Sequence, residues 1–281
     1  MANRFSRSWA LFKASAGVLS QDKELLMFPL LSAVCTVIVA AAFLLPMFGM
    51  GALDGLHDGK GMQAGVYVLA FLFYLAQYFV IFFFNSALVG AAMIRLDGGD
   101  PTLGDGLRIA AGKIVPILGY AAIAATVGML LRAAQERAGF LGRVVTGFLG
   151  LAWTVATFLV VPVLVSNNIG PLDAVKESAE LLKKTWGENL IGQGGVGIAF
   201  GLIFGALIFV GVLLIIAAAM TGSAMFAGTV AALFVLALVL TGLAHSALSG
   251  IYSAALYRYA RGEGDSEWFD RQAMEQAFTA R

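Results

Sequence analysis

Ionisable side chains are scarce in this sequence, and over one stretch they vanish: no Asp, Glu, Lys or Arg occurs in the 69 residues from Asn189 to Tyr257. Charged residues make up 12% of the chain and hydrophobic ones 60%, a balance that excludes an ordinary soluble domain and marks a polytopic membrane protein. Cysteine occurs once, at Cys35 inside an apolar run, so neither an intrachain disulfide nor a cysteine-based metal site is available. Histidine occurs twice, at His57 and His245, too few for a His-rich metal centre, and no Ser-His-acid set or phosphate-cradling Gly-rich loop before a lysine accompanies them. A net charge of +1, with the basic residues set beside apolar runs, gives no general attraction for nucleic acid. We therefore expect no enzyme, no cofactor and no metal. The first 24 residues hold no apolar stretch followed by a small-residue cleavage site, so the first span is expected to be retained.

What is present is organised around residues 170–211. Leu172, Val175, Ala179, Leu182 and Trp186 recur at helical spacing, while Asp173, Lys176, Glu177, Glu180, Lys183 and Lys184 fall on the other side; Lys176/Glu180 and Glu180/Lys184 are one turn apart. Such a helix suits a membrane surface, and Pro171 fits its first position. The uncharged run that follows is long enough for two crossings of a ~30 Å hydrocarbon core at ~20 residues each, with Thr221-Gly222-Ser223 as the turn.

The same plan recurs upstream. The fold class expected is an all-α polytopic membrane protein of six transmembrane helices, about 26–48, 65–94, 114–131, 144–165, 190–220 and 225–256. Three cytoplasmic-side amphipathic interfacial helices accompany them, about 4–20, 102–113 and 171–186, and a short tail follows over 259–281. Phe5, Trp9, Phe12, Ala16 and Leu19 form the first stripe; Leu103, Leu107, Ala110 and Ile114 form the second, opened by a capping-box-like Thr102 and Asp105. The third span is expected to end before a loop over 133–143, and the fourth to end at Pro162 and Ser166-Asn167-Asn168. Ser266 is a candidate cap for a tail helix. Residues 1–258 read as one membrane domain, a threefold repeat of surface helix and hairpin. Asn85-Ser86-Ala87-Leu88-Val89-Gly90 resembles His245-Ser246-Ala247-Leu248-Ser249-Gly250, and each run approaches an arginine, Arg95 or Arg258.

Placing both termini in the cytoplasm leaves 14 of 18 basic residues inside, with Lys60, Arg132, Arg137 and Arg143 outside. The expected location is the inner (plasma) membrane of a bacterium. Membrane lipid is one expected partner, and a protein at the cytoplasmic face or a second copy of the chain are others.

The tail Leu256-Tyr257-Arg258-Tyr259-Ala260-Arg261-Gly262-Glu263-Gly264 resembles the close of bacterial six-span integral membrane proteins of uncharacterised families. In plan they are similar to the membrane domain attached to some glycerophosphodiester phosphodiesterases. The usual pattern has an acidic residue near Ala260, where this chain departs from it. The resemblance implies a membrane accessory role and carries no site residues.

Two polar residues stand out within the spans, Asn85 and His245, at matching places in the two similar runs. Both are expected to face the bundle, because an amide or imidazole directed at hydrocarbon costs several kcal/mol. His245 serves either an interhelical hydrogen bond or proton or ligand handling. His57 reads as a solvated loop residue. Gly197, Gly201 and Gly205 form GxxxG steps, for packing within the bundle or between two copies. The leading functional reading is a non-enzymatic integral membrane protein with a structural or accessory role; the alternative is a permease or channel for a neutral or amphipathic solute.

Overall fold

The computed structural model describes residues 4–49, 64–137, 139–186 and 195–262, and every regular element among them is helical. The helices are α1 Arg4–Gln21, α2 Met27–Gly49 after a 3₁₀ turn at Lys23–Leu26, α3 Ala64–Leu96, α4 Leu103–Gly112 and α5 Ile114–Arg137. They continue with α6 Phe140–Ala156, α7 Val160–Ser166, α8 Pro171–Trp186, α9 Gly195–Met220 and α10 Ala224–Arg261. Six segments are long and apolar enough to cross a membrane: Lys23–Pro46, Val68–Leu96, Ile114–Arg137, Gly142–Ser166, Phe200–Met220 and Ala224–Arg261.

Local chemistry sets several boundaries. Thr102 caps α4 in a full capping box: its hydroxyl accepts from the Asp105 amide, and the Asp105 carboxylate accepts from the Thr102 amide. Gly98, Gly222 and Gly262 have φ of 84°, 72° and 74°, the left-handed conformation that turns after α3 and α9 and the end of α10 require. Ser223 then caps α10 through the Phe226 amide.

Three expectations are corrected. The third crossing does not stop at Leu131, since α5 runs on through Arg137. Its extra turns are held by Arg132, which donates to the Tyr74 hydroxyl of α3 at 2.7 Å and to Glu136 at 3.1 Å. The fourth crossing is not one helix, because it breaks at 157–159 between α6 and α7. Pro162 explains the position: it lacks the N–H that would bond the Phe158 carbonyl four residues back, and its ring crowds that carbonyl.

The third correction concerns part of the face of α8, a helix whose ends agree with sequence. Leu182 is buried and Val175 packs against the core as expected, but Ala174 and Ser178 are buried too, Leu172 is 63% exposed, and Glu177 pairs with Arg261 of α10. Lys176 and Glu180 are exposed as expected, but Lys176 pairs with Asp173 instead of Glu180. Phe5, Trp9, Phe12, Lys184, Trp186, His57 and Ser266 lie outside the described side chains.

The buried core lies toward one end of the bundle, the end carrying Arg95 and Arg258. Phe28, Ala87–Val89, Ile117, Leu159–Leu164 and Leu248–Tyr257 pack there. Gly106 permits a close crossing, since a Cβ on it would stand 2.6 Å from the Ala87 carbonyl and 2.5 Å from Phe28. Toward the other end the helices expose apolar side chains, among them Leu45, Phe148, Phe209, Met220 and Met225. Hydrocarbon is as apolar as these side chains, so a membrane protein need not bury them.

Candidate ligand cavity

A cavity of about 290 Å³ lies between α2, α3 and α10, with Phe158 at the α6–α7 break forming part of its wall. Gly250 permits the close crossing beside it, because a Cβ there would meet Leu88 at 2.5 Å and the Asn85 side-chain oxygen at 3.4 Å. Six polar side chains line it, Ser32, Asn85, His245, Ser246, Ser249 and Ser253, and no Asp, Glu, Lys or Arg does.

Of the six, Ser253 bonds the carbonyl of Gly250 in its own helix at 2.8 Å. The other five have no protein hydrogen bond among the described residues. Nor has Ser86, buried beside Asn85. Ser and Thr inside membrane-spanning helices can bond back to a carbonyl one turn earlier, and Thr126, Thr154, Thr229 and Thr241 in this chain all do so. The cavity therefore gathers donors and acceptors that the protein leaves open.

Asn85 and His245 thus line one cavity from two helices. The His245 ring also meets Phe200 edge-on at 4.6 Å and Phe204 at 6.2 Å. Sequence reasoning takes Ser246 only as a small residue for close packing and misses Ser32, Ser249 and Ser253, although Ser246, Ser249 and Ser253 follow the i, i+3, i+7 spacing of one helical face. A Cβ on Gly201 or Gly205 would meet nothing within 4 Å among the described residues. Gly197 lies in α9, in a stretch whose surroundings lie outside the description.

A second polar assembly closes the Arg95/Arg258 end. Arg258 pairs with Asp97 and Arg95 with Asp100, so both arginines secure the α3–α4 connection. Arg261 pairs with Glu177 at 3.2 Å, and the Asn167 amide donates to Glu177 and to the Tyr257 hydroxyl. Lys113, at the α4–α5 joint, donates to the Asn167 carbonyl at 2.8 Å. Asp22 is 6% exposed with one carboxylate oxygen unpartnered; burial raises its pKa, and the nearby Arg95 opposes that rise. Asp105 is held below the usual carboxylate range by its bonds from Thr102.

Six helical segments long and apolar enough to cross a membrane, three of them lining an uncharged polar cavity with Phe158, mark an all-helical, multi-pass membrane protein. Within that class, the model of a family of unknown function (DUF6159) matches residues 64–267, and the chain belongs to that family. No curated protein and no solved structure matches it, and nothing in these comparisons links it to the phosphodiesterase-attached membrane domain.

Proposed function

We propose that this protein binds a small neutral or amphipathic solute in the cavity between α2, α3 and α10 and acts on it without covalent chemistry, as a permease or carrier in a bacterial inner membrane. The observation that carries this reading is the set of five polar side chains without protein hydrogen bonds, at a site with no ionisable acid or base other than His245. An unpartnered hydroxyl or amide in an apolar medium costs on the order of 1–3 kcal/mol. A lining that leaves five of them open favours a guest that satisfies them. The absence of Asp, Glu, Lys and Arg favours an uncharged one.

Both termini are placed in the cytoplasm, with α1, α4 and α8 along the cytoplasmic leaflet as interfacial helices of a threefold repeat. Arg132, one of the four basic residues that this orientation leaves outside, has partners in Tyr74 and Glu136, which reduces its need for a cytoplasmic surface.

The test is binding and flux in proteoliposomes containing the intact protein, scanning uncharged solutes and neutral lipids by displacement of intrinsic tryptophan fluorescence. Saturable binding that the Asn85→Leu/His245→Leu pair weakens at least tenfold supports the reading. Unchanged binding in that variant removes the cavity from function.

A structural or accessory role is the second reading, favoured by the open Gly201/Gly205 face of α9. It predicts self-association or a copurifying membrane partner, and no saturable solute binding.

A further inference from the structure

The depth of each lining residue follows from its distance along its helix to the charged end, at 1.5 Å per residue. Ser253 lies five residues before Arg258 and Leu88 seven before Arg95, about 8 and 11 Å from that end. Both are buried and form the floor. Ser246 lies 12 residues before Arg258 and Ile81 14 before Arg95, about 18 and 21 Å. These two are the exposed members of the lining. The cavity thus opens sideways at a depth near the middle of a ~30 Å hydrocarbon core and descends toward the closed Arg95/Arg258 end.

A mouth at that depth faces acyl chains. We infer that the ligand is an uncharged lipid bearing a hydroxyl- or ester-containing head, which enters through Ile81 and Ser246 from within the bilayer; this rests on the proposed binding role of the same cavity. The volume of about 290 Å³ is near the lower end for ligand sites and equals roughly ten water volumes. It holds a head of roughly ten non-hydrogen atoms and leaves the chains outside the mouth, in lipid. Serine hydroxyls and the Asn85 amide each both donate and accept, which suits hydroxyls and ester carbonyls. A phosphate or ammonium head would be buried with no counter-charge in the lining, at a cost its few hydrogen bonds would not offset.

The experiment uses the full chain in phosphatidylcholine vesicles with three probes: a diazirine-bearing diacylglycerol, a phosphatidylglycerol with the same diazirine, and water-soluble glycerol as competitor. Cross-linked peptides are read by mass spectrometry. The expected result is diacylglycerol labelling on α2, α3 and α10, suppressed by unlabelled diacylglycerol and reduced at least fivefold in Ile81→Trp and Ser246→Leu. Both substitutions sit at exposed positions and leave the packed core intact. Phosphatidylglycerol labels no more than it labels those variants, and glycerol does not compete. Equal labelling by phosphatidylglycerol, or labelling indifferent to both substitutions, overturns the inference. Displacement by glycerol alone overturns the lipid route and leaves the cavity's binding role standing. Absence of any probe from α2, α3 and α10, together with no saturable solute binding, removes both.

Discussion

The Leu159 amide donates to the Ser178 hydroxyl at 3.0 Å, and that hydroxyl donates to the Ala156 carbonyl at 2.7 Å. One fully buried side chain of α8 thereby takes up a donor and an acceptor set loose at the break that Pro162 imposes. Ser178→Ala should lower stability by about 1–3 kcal/mol, since it leaves buried backbone groups unpaired. Thermal unfolding in detergent measures the loss. Pro162→Ala restores the missing N–H, so the same Ser178→Ala change should cost less in that background. Equal costs in both backgrounds would mean that the break has another origin.

Two aspartates should respond to pH with opposite signs. Asp105 is lowered by its bonds from Thr102, so its contribution is present above the unfolded value of about 3.9 and is lost as the pH falls through the lower folded one. Asp22 is raised by burial. Its contribution is full below about 3.9 and is lost as the pH rises through the folded value. At pH 7, Asp105→Asn should lower the melting temperature and Asp22→Asn should raise it. Toward pH 3 both differences should shrink. Melts of the three proteins between pH 3 and 7 check this, and a Asp22→Asn protein less stable than the parent at pH 7 would contradict it.

The glycines divide into two kinds. Gly106→Ala forces a Cβ against the Ala87 carbonyl and Phe28 and should cost about 1–3 kcal/mol by overpacking. Gly201→Ala enters open space and should stay within about 0.5 kcal/mol in the monomer. If α9 associates with a second copy, Gly201→Ala should instead shift the oligomer distribution in chemical cross-linking or native mass spectrometry.

Topology reporters fused after Gly59, Glu136 and Gly222 should all read as external. Glu136 is the discriminating position, because it follows Arg132 near the end of α5. A cytoplasmic signal there would overturn the six-span arrangement.

Where the chain must be helical was legible, because length and the absence of charge decide it in hydrocarbon. The limits of α8 at Pro171 and Trp186, the Thr102 cap and the turn at Gly222 were all readable from local chemistry. What faces what was less so. Part of the α8 face depends on partners distant in sequence, Arg261 for Glu177 and the α6–α7 break for Ser178. Pro162 was read as ending a helix, whereas its effect falls four residues earlier, on a carbonyl. Asn85 and His245 were found because amides and imidazoles are rare in apolar spans. Ser32, Ser249 and Ser253 were passed over because serine is common there and can bond its own helix.

α10 spans 38 residues, about 57 Å at 1.5 Å per residue, nearly twice the thickness of a hydrocarbon core. It is clamped at one end by Arg258 and Arg261 and walls the cavity partway along. A rod this long must tilt to fit such a core, and its packing against neighbouring helices and its basic anchor set the lean. Ser246 lies 12 residues beyond the clamp at Arg258, on the stretch that a change of tilt would displace, so solute binding in vesicles of different chain length is expected to differ.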